Sequence, residues 1–382
     1  MTMRRQQVAK AFRTLRWTPS VPWQRFTRRE WRGNVHLIIA VADHFEPSYV
    51  PAVPSRFAPL DEQERRLEEW CFRYPATNEP WRDSDGFPLR HTYFFPAEQY
   101  HSSLMERLAD HCGSGWGEVE VHLHHGVEKP DTSGNTRRML ESFRDALVEH
   151  GCLSRYDGVG PARYAFVHGN FALANSRGGS CCGVDDEVQI LAETGCYADL
   201  TLPAAPSPAQ IGKINALYEC ALPLDRRAPH RRGIDLRVGR PPSVFPLMIQ
   251  GPLGLNFARG VVPRIENSEI SARNPVTLRR LRLWEQAHIT VKGKPEWIFI
   301  KLHCHGMDPR DKDAMLGPVR QRFMRELSDF AHASPRHRLH FVTAREMTNI
   351  ALAAVDGKEG SPGAYRDYRL KLIAPRTGVQ WQ

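Results

Sequence analysis

Three imidazoles fall within four positions of the segment GEVEVHLHHG, at His122, His124 and His125. Strand alternation puts His122 and His124 on one face, with Val119, Val121 and Leu123 on the other. Two imidazoles on one face, joined by a carboxylate from a neighbouring strand, make an N,N,O set. Such a set holds a divalent ion and leaves positions open for water and substrate. Zn2+ suits it best; Mn2+, Fe2+, Co2+ and Ni2+ also fit. His125 lies at the turn and is able to replace either neighbour as ligand. At least one of the three is expected only to bond backbone at the strand end.

The most natural carboxylate is Asp43, which ends the apolar run VHLIIAVADHF. It serves as metal ligand or as general base, and the residues alone leave both open. His44 and Glu46 share the opposite alternation face and are second candidates. His303 and His305 in KLHCHG repeat the same-face pattern, and His303 suits protonation of a leaving group. HGN at 168–170 reads as a turn facing substrate, offering His168 and Asn170, with Gly169 allowing close backbone approach. RGGSCCGVDDE (177–187) offers adjacent thiols without a base partner. It reads as structural, with Asp185 and Asp186 capping a helix. HRRGIDLRVGRPP (230–242) is a basic loop, open to an anionic or sugar ligand or simply to solvent.

Something must bring these groups together. Apolar, strand-like runs alternate with amphipathic, helix-like runs along the chain, which argues for a parallel sheet in an α/β fold. SPAQIGKINALYEC (207–220) reads as a short helix. Strand number and length favour a distorted (β/α) barrel, where function collects at the C-terminal ends of strands. The run ends carry Asp43, His122, His168 and His303, as that rule requires. The boundaries expected are a basic N-terminal extension over 1–33, the barrel over 34–350 and a C-terminal tail over 351–382.

The chain has 382 residues, 41% hydrophobic and 25% charged, an ordinary globular balance. Its net charge of +9 is uneven, since residues 1–33 hold many Arg and a single acid, Glu30. No RNA-binding signature or zinc-finger spacing accompanies that charge, so nucleic acid is not expected as a partner. Val8–Trp17 reads as a basic amphipathic helix, packed on the domain or making peripheral contact with anionic lipid or biosynthetic proteins. The eight Cys show no CxxC pair and read as reduced thiols. With no signal-peptide core and no apolar run of ~18–20 residues, a cytoplasmic protein is expected.

Taken in chain order, AVADHFEP, HTYFFPAEQY, GEVEVHLHHG, YAFVHGN and FIKLHCHG resemble the motifs of the polysaccharide deacetylase superfamily, the metal-dependent carbohydrate esterase barrel. The resemblance spans roughly residues 34–350. It implies a hydrolase that removes an N- or O-acyl group from a carbohydrate, linked to exopolysaccharide metabolism. By the resemblance Asp43 is base or ligand, His122 the surest ligand, and His303 the acid, while HGN with His168 and Asn170 takes the place of the substrate-groove motif; Glu46 is read separately as a substrate contact. Three departures mark a divergent branch. His44 follows Asp43 where the family has a second Asp, Gly126 stands where its second metal His falls, and the groove motif lacks its Arg and Pro. Two alternatives remain. One is a glycoside hydrolase on the same barrel, pairing Glu46 with Asp43 or Asp185. The other is a degenerate barrel that binds polysaccharide or a partner without turnover.

Overall fold

Strand β1, Val35–His44, is an apolar run buried on both faces. Leu37, Ile39 and Val41 join one hydrophobic cluster, while Ile38, Ala40 and Ala42 join another. A strand buried on both faces belongs in the middle of a layered α/β structure. The computed structural model bears this out and describes residues 16–28, 31, 33–52, 56–257 and 263–374.

The other strands are β2 (His91–Pro96), β3 (Gly117–Leu123), β4 (Ser154–Tyr156), β5 (Tyr164–His168), β6 (Cys196–Asp199), β7 (Leu217–Cys220) and β8 (Gly233–Asp235). They continue with β9 (Leu247–Ile249), β10 (Gly254–Asn256), β11 (Arg264–Glu266), β12 (Glu269–Ile270), β13 (Trp297–Cys304), β14 (His337–Val342) and β15 (Leu370–Leu372). One sheet runs β12-β13-β1-β2-β3-β5-β6-β9-β7-β8, with β14 also paired to β1. Its pairs are parallel except where β7 meets β8 and β9. Among the described residues the ladder does not close on itself. Its limbs still meet above the core, because Lys301 Nζ in β13 donates to the Leu200 carbonyl after β6 at 2.8 Å.

Helices Leu60–Asn78, Ser102–His111 and Ser133–Glu149 cover the outer face, and their apolar sides share a cluster with the outward residues of β1 to β3. The inner face is filled differently. Helix Ala344–Val355 is buried along its whole length and packs against Ile38, Ala40 and Ala165. A Thr343–Glu346 capping box starts it. Arg345 clamps it to the inward Glu118 of β3 through Nε and Nη2, at 3.0 and 2.9 Å. Packing fills the interior from that side, so the inward groups at the C-terminal strand ends line the other.

Two local expectations differ. Residues 207–216 form turns leading into β7, where Gly212 weakens a helix and Asn215 turns the chain with φ 53°. Residues 230–242 contain the short edge strand β8. At the chain ends, residues 8–15 of the expected basic helix lie outside the described residues. Trp17 is buried against Ala205, Ile214 and Leu253. Beyond the buried end of helix Ala344–Val355, residues 356–361 are exposed, and β15 then pairs antiparallel with β4 in a separate two-stranded sheet while Asn349 Nδ2 donates to the Leu370 carbonyl at 2.8 Å. No helix among the described residues is long and apolar enough to cross a membrane.

Candidate metal centre at the strand ends

Register explains which side chains meet. His44 pairs with Phe94, and Pro96 pairs with His122. Two residues beyond His44, Glu46 therefore comes level with His122 on the inner face. Its Oε1 lies 3.2 Å from His122 Nε2 and 3.4 Å from His124 Nε2. The His44 ring centroid is 5.0 Å from that of His122 and 4.8 Å from that of His305. In β13, His303 pairs with Ala42 and so sits one inward position below His44, with ring centroids 6.1 Å apart.

Both imidazoles are held by their other nitrogen. His122 Nδ1 lies 2.7 Å from the Val167 carbonyl oxygen, which only accepts, so Nδ1 carries the proton. His124 Nδ1 lies 2.7 Å from Glu98 Oε1. With both Nδ1 atoms engaged, each Nε2 faces the Glu46 carboxylate, a contact that needs either a second proton on the ring or a cation in between. Glu46 and His122 fit a divalent ion together with His44, whose ligand atom lies within 4.8 Å of both, while His124 faces the same carboxylate; the outer contacts are those that orient metal-bound histidines. Burial pushes the Glu46 pKa up, but the His122 hydrogen bond and the His124 charge outweigh it and hold the carboxylate at about 2. Burial lowers that of His124, yet Glu98 and Glu46 raise it above the ordinary value overall. Burial, then His305, drives that of His44 well down, keeping the ring neutral. The cluster opens to solvent at His124, whose side chain is 23% exposed.

Several sequence expectations are redistributed. Asp43 does not join His122. It faces the helices, where Oδ2 contacts His91 Nδ1 at 2.9 Å and Oδ1 accepts from the Gly306 N–H at 2.7 Å. The strand has not lost its extended geometry at position 43, so alternation sends Asp43 outward and His44 inward. Glu46, a second candidate for the carboxylate and also read as a substrate contact, is the acid that faces the two imidazoles instead. His125 also points outward, away from His122 and His124, and meets His168 and Glu187. His168 is fully buried on that outer side and offers nothing to a substrate at the mouth. Asn170 is exposed, with φ 55°. A Cβ at Gly169 would lie 2.3 Å from His124 Cδ2, so the close approach expected there is made to a metal-site ring.

Asp186 precedes helix Glu187–Thr194 without capping it; its Oδ1 accepts from Ser133 Oγ at 2.6 Å. Asp185 accepts from Asn175 Nδ2 at 2.6 Å. Asp43 turns outward and Asp185 is engaged in its own loop, so neither of the partners expected for Glu46 in a glycosidase pair stands beside it. No disulfide joins any of the eight Cys. Sequence reasoning missed Glu98 altogether. Its signal was position alone, two residues past Pro96, which the register sets beside His122.

No family model matches the chain, and no curated protein matches it significantly. Among solved structures it is similar to a "putative polysaccharide deacetylase" from Mycobacterium smegmatis. The two are 14% identical, the match covers 92% of this chain and 96% of that one, and the TM-score is 0.41. An overlap that loose says nothing about the site, whose chemistry rests on the residues themselves.

Proposed function

We propose that this chain is a metal-dependent hydrolase that removes an acyl group from a carbohydrate, with Glu46, His122 and His124 as the protein ligands of the ion. The observation that supports it is the convergence of two anchored imidazoles on one buried carboxylate at the open end of a parallel sheet. The substrate class comes from the motif resemblance. A divalent ion there supplies a Lewis acid that polarises an acyl carbonyl and acidifies water. The chain supplies the rest. Glu98 and the Val167 carbonyl fix the two ring orientations. His44, Phe171 and His305 shape the wall beside them. His303 Nδ1 is buried with no hydrogen-bond partner, free to exchange a proton with a reacting group. Burial, then Lys301, holds its pKa well down, so the free ring accepts a proton before it donates one. Asp43 acts through the backbone: by holding the Gly306 N–H it positions the turn that carries His305.

Glu46→Gln tests this reading. It is expected to cost one equivalent of bound ion and to abolish acetate release from N- and O-acetylated oligosaccharides. Unchanged metal content in that variant sinks the ligand assignment. The outward turn of Asp43 favours a second reading, a barrel that binds polysaccharide without turnover, because the expected base is missing from the cluster. Metal-loaded protein that binds oligosaccharide but releases no acetate would select it.

A further inference from the structure

We propose that the chain holds a second, structural metal ion between His125, His168, Glu187 and Cys182, on the outer side of the sheet. The four are buried, and one ligand atom from each lies within 4.8 Å of every other. His125 Nε2 is 3.1 Å from His168 Nε2 and 2.8 Å from Glu187 Oε1; His168 Nε2 is 3.4 Å from the same oxygen. The opposite nitrogens are occupied. His168 Nδ1 contacts the Gly169 carbonyl, which only accepts, so its Nε2 presents a lone pair. His125 Nδ1 lies 3.0 Å from Asp131 Oδ2, a carboxylate that Thr136 Oγ1 and Asn135 Nδ2 hold at 2.9 and 2.8 Å. Two imidazoles and a carboxylate thus aim electron pairs at one point in a dry interior. A cation relieves that conflict, and the outer partners are those that orient metal-bound histidines.

Cys182 supplies the fourth donor. Its sulfur accepts backbone N–H groups from Asn175 at 3.3 Å and Val184 at 3.4 Å, and its thiol donates to Glu187 Oε2 at 3.6 Å, a proton that a bound ion would displace. Four protein donors leave no open position, which marks a structural site, and an N,N,O,S set selects zinc-like ions. The backbone is built for this closure. A Cβ at Gly126, where φ is +61°, would fall 1.9 Å from the Cys182 carbonyl oxygen. One at Gly183, with φ +97°, would fall 2.5 Å from Pro130 Cβ. Asp131 N–H donates to the Cys182 carbonyl at 2.8 Å. The ion would tie residues 172–187 to the ends of β3 and β5. This inference is independent of the reading given for the Glu46 centre.

The rival is a protonated His125 that shares its Nε2 proton between Glu187 and His168. The test uses the full chain, its metal content measured after dialysis, and a Co2+ titration of the chelator-stripped protein. The wild type is expected to bind two equivalents, with a thiolate-to-cobalt absorption band. Glu187→Gln and His168→Ala should each lose one equivalent and the band, Cys182→Ser the band, and Glu46→Gln one equivalent with the band kept. Should the Glu187 and His168 variants fail to fold by circular dichroism, the wild-type titration decides. A wild-type spectrum without a thiolate band overturns the proposal. So does metal content unchanged in folded Glu187→Gln. A single equivalent that only Glu46→Gln removes overturns it too, while leaving the Glu46 centre intact.

Discussion

Asp43 and Glu46 are three residues apart, and one bond of alternation separates their fates. The first turns to the helices and braces Gly306; the second turns inward to two imidazoles. Asp43→Asn is therefore expected to keep the ion at the Glu46 centre while losing about 2 kcal/mol of stability, the order of a buried hydrogen bond to a charged group. Metal content and a urea midpoint on the same sample check both halves. If the ion departs with Asp43, the residue is a ligand after all. Gly169→Ala probes the opposite side, since its Cβ meets the His124 ring at 2.3 Å. The ring has to move off its bond to Glu98, so affinity for the ion should fall about 10- to 100-fold, the usual loss when an orienting contact is disturbed. Competition against a chelator of known affinity reads this directly.

Single elements set where these residues stand. β1 is apolar on both faces because one face meets helices and the other the buried helix Ala344–Val355. That helix depends on Arg345, whose guanidinium reaches Glu118 and the Asp367 carboxylate as well as the Leu370 carbonyl. Arg345→Met leaves Glu118 buried without its charge partner and should cost about 3–5 kcal/mol. A denaturant titration measures it. Recovery in the double variant with Glu118→Leu would attribute the loss to the stranded charge. The expected short helix over 207–220 failed at this scale because Gly212 and the φ of 53° at Asn215 break it and Leu217–Cys220 pairs as a strand. The strand-end histidines were legible because residue types at run ends survive any uncertainty over helices.

Acid stability belongs to the whole molecule, because its groups come from distant segments. Asp85 accepts from His340 Nδ1 at 2.7 Å and from Arg366 Nη2 at 2.9 Å. Burial pushes its pKa up, but His340 and then Arg366 outweigh it and hold it at about 2. A carboxylate depressed in the folded state stabilises fully above its unfolded value near ~4, and that stabilisation fades as pH falls towards about 2. Asp85→Asn should lose about 1 kcal/mol at neutral pH, since solvent screens so exposed a pair, and flatten the stability curve across that acid window. Urea midpoints followed from pH 5 downward check it, and a parallel, merely shifted curve would speak against the assignment.

Periodicity by itself determined that apolar runs alternate with helices, that the sheet is mostly parallel, and that His122 and His124 share a face with their donors at a strand end. Those properties are local, fixed by side-chain alternation over a few residues. Which carboxylate meets the imidazoles was decided only by tertiary structure. Strand stagger sets His122 level with Glu46 rather than with His44, and no stretch of sequence states the stagger between β1, β2 and β3. The same holds for His125, His168, Cys182 and Glu187. Their meeting needs two loops to close through Gly126 and Gly183, and that contact exists only once the chain has folded.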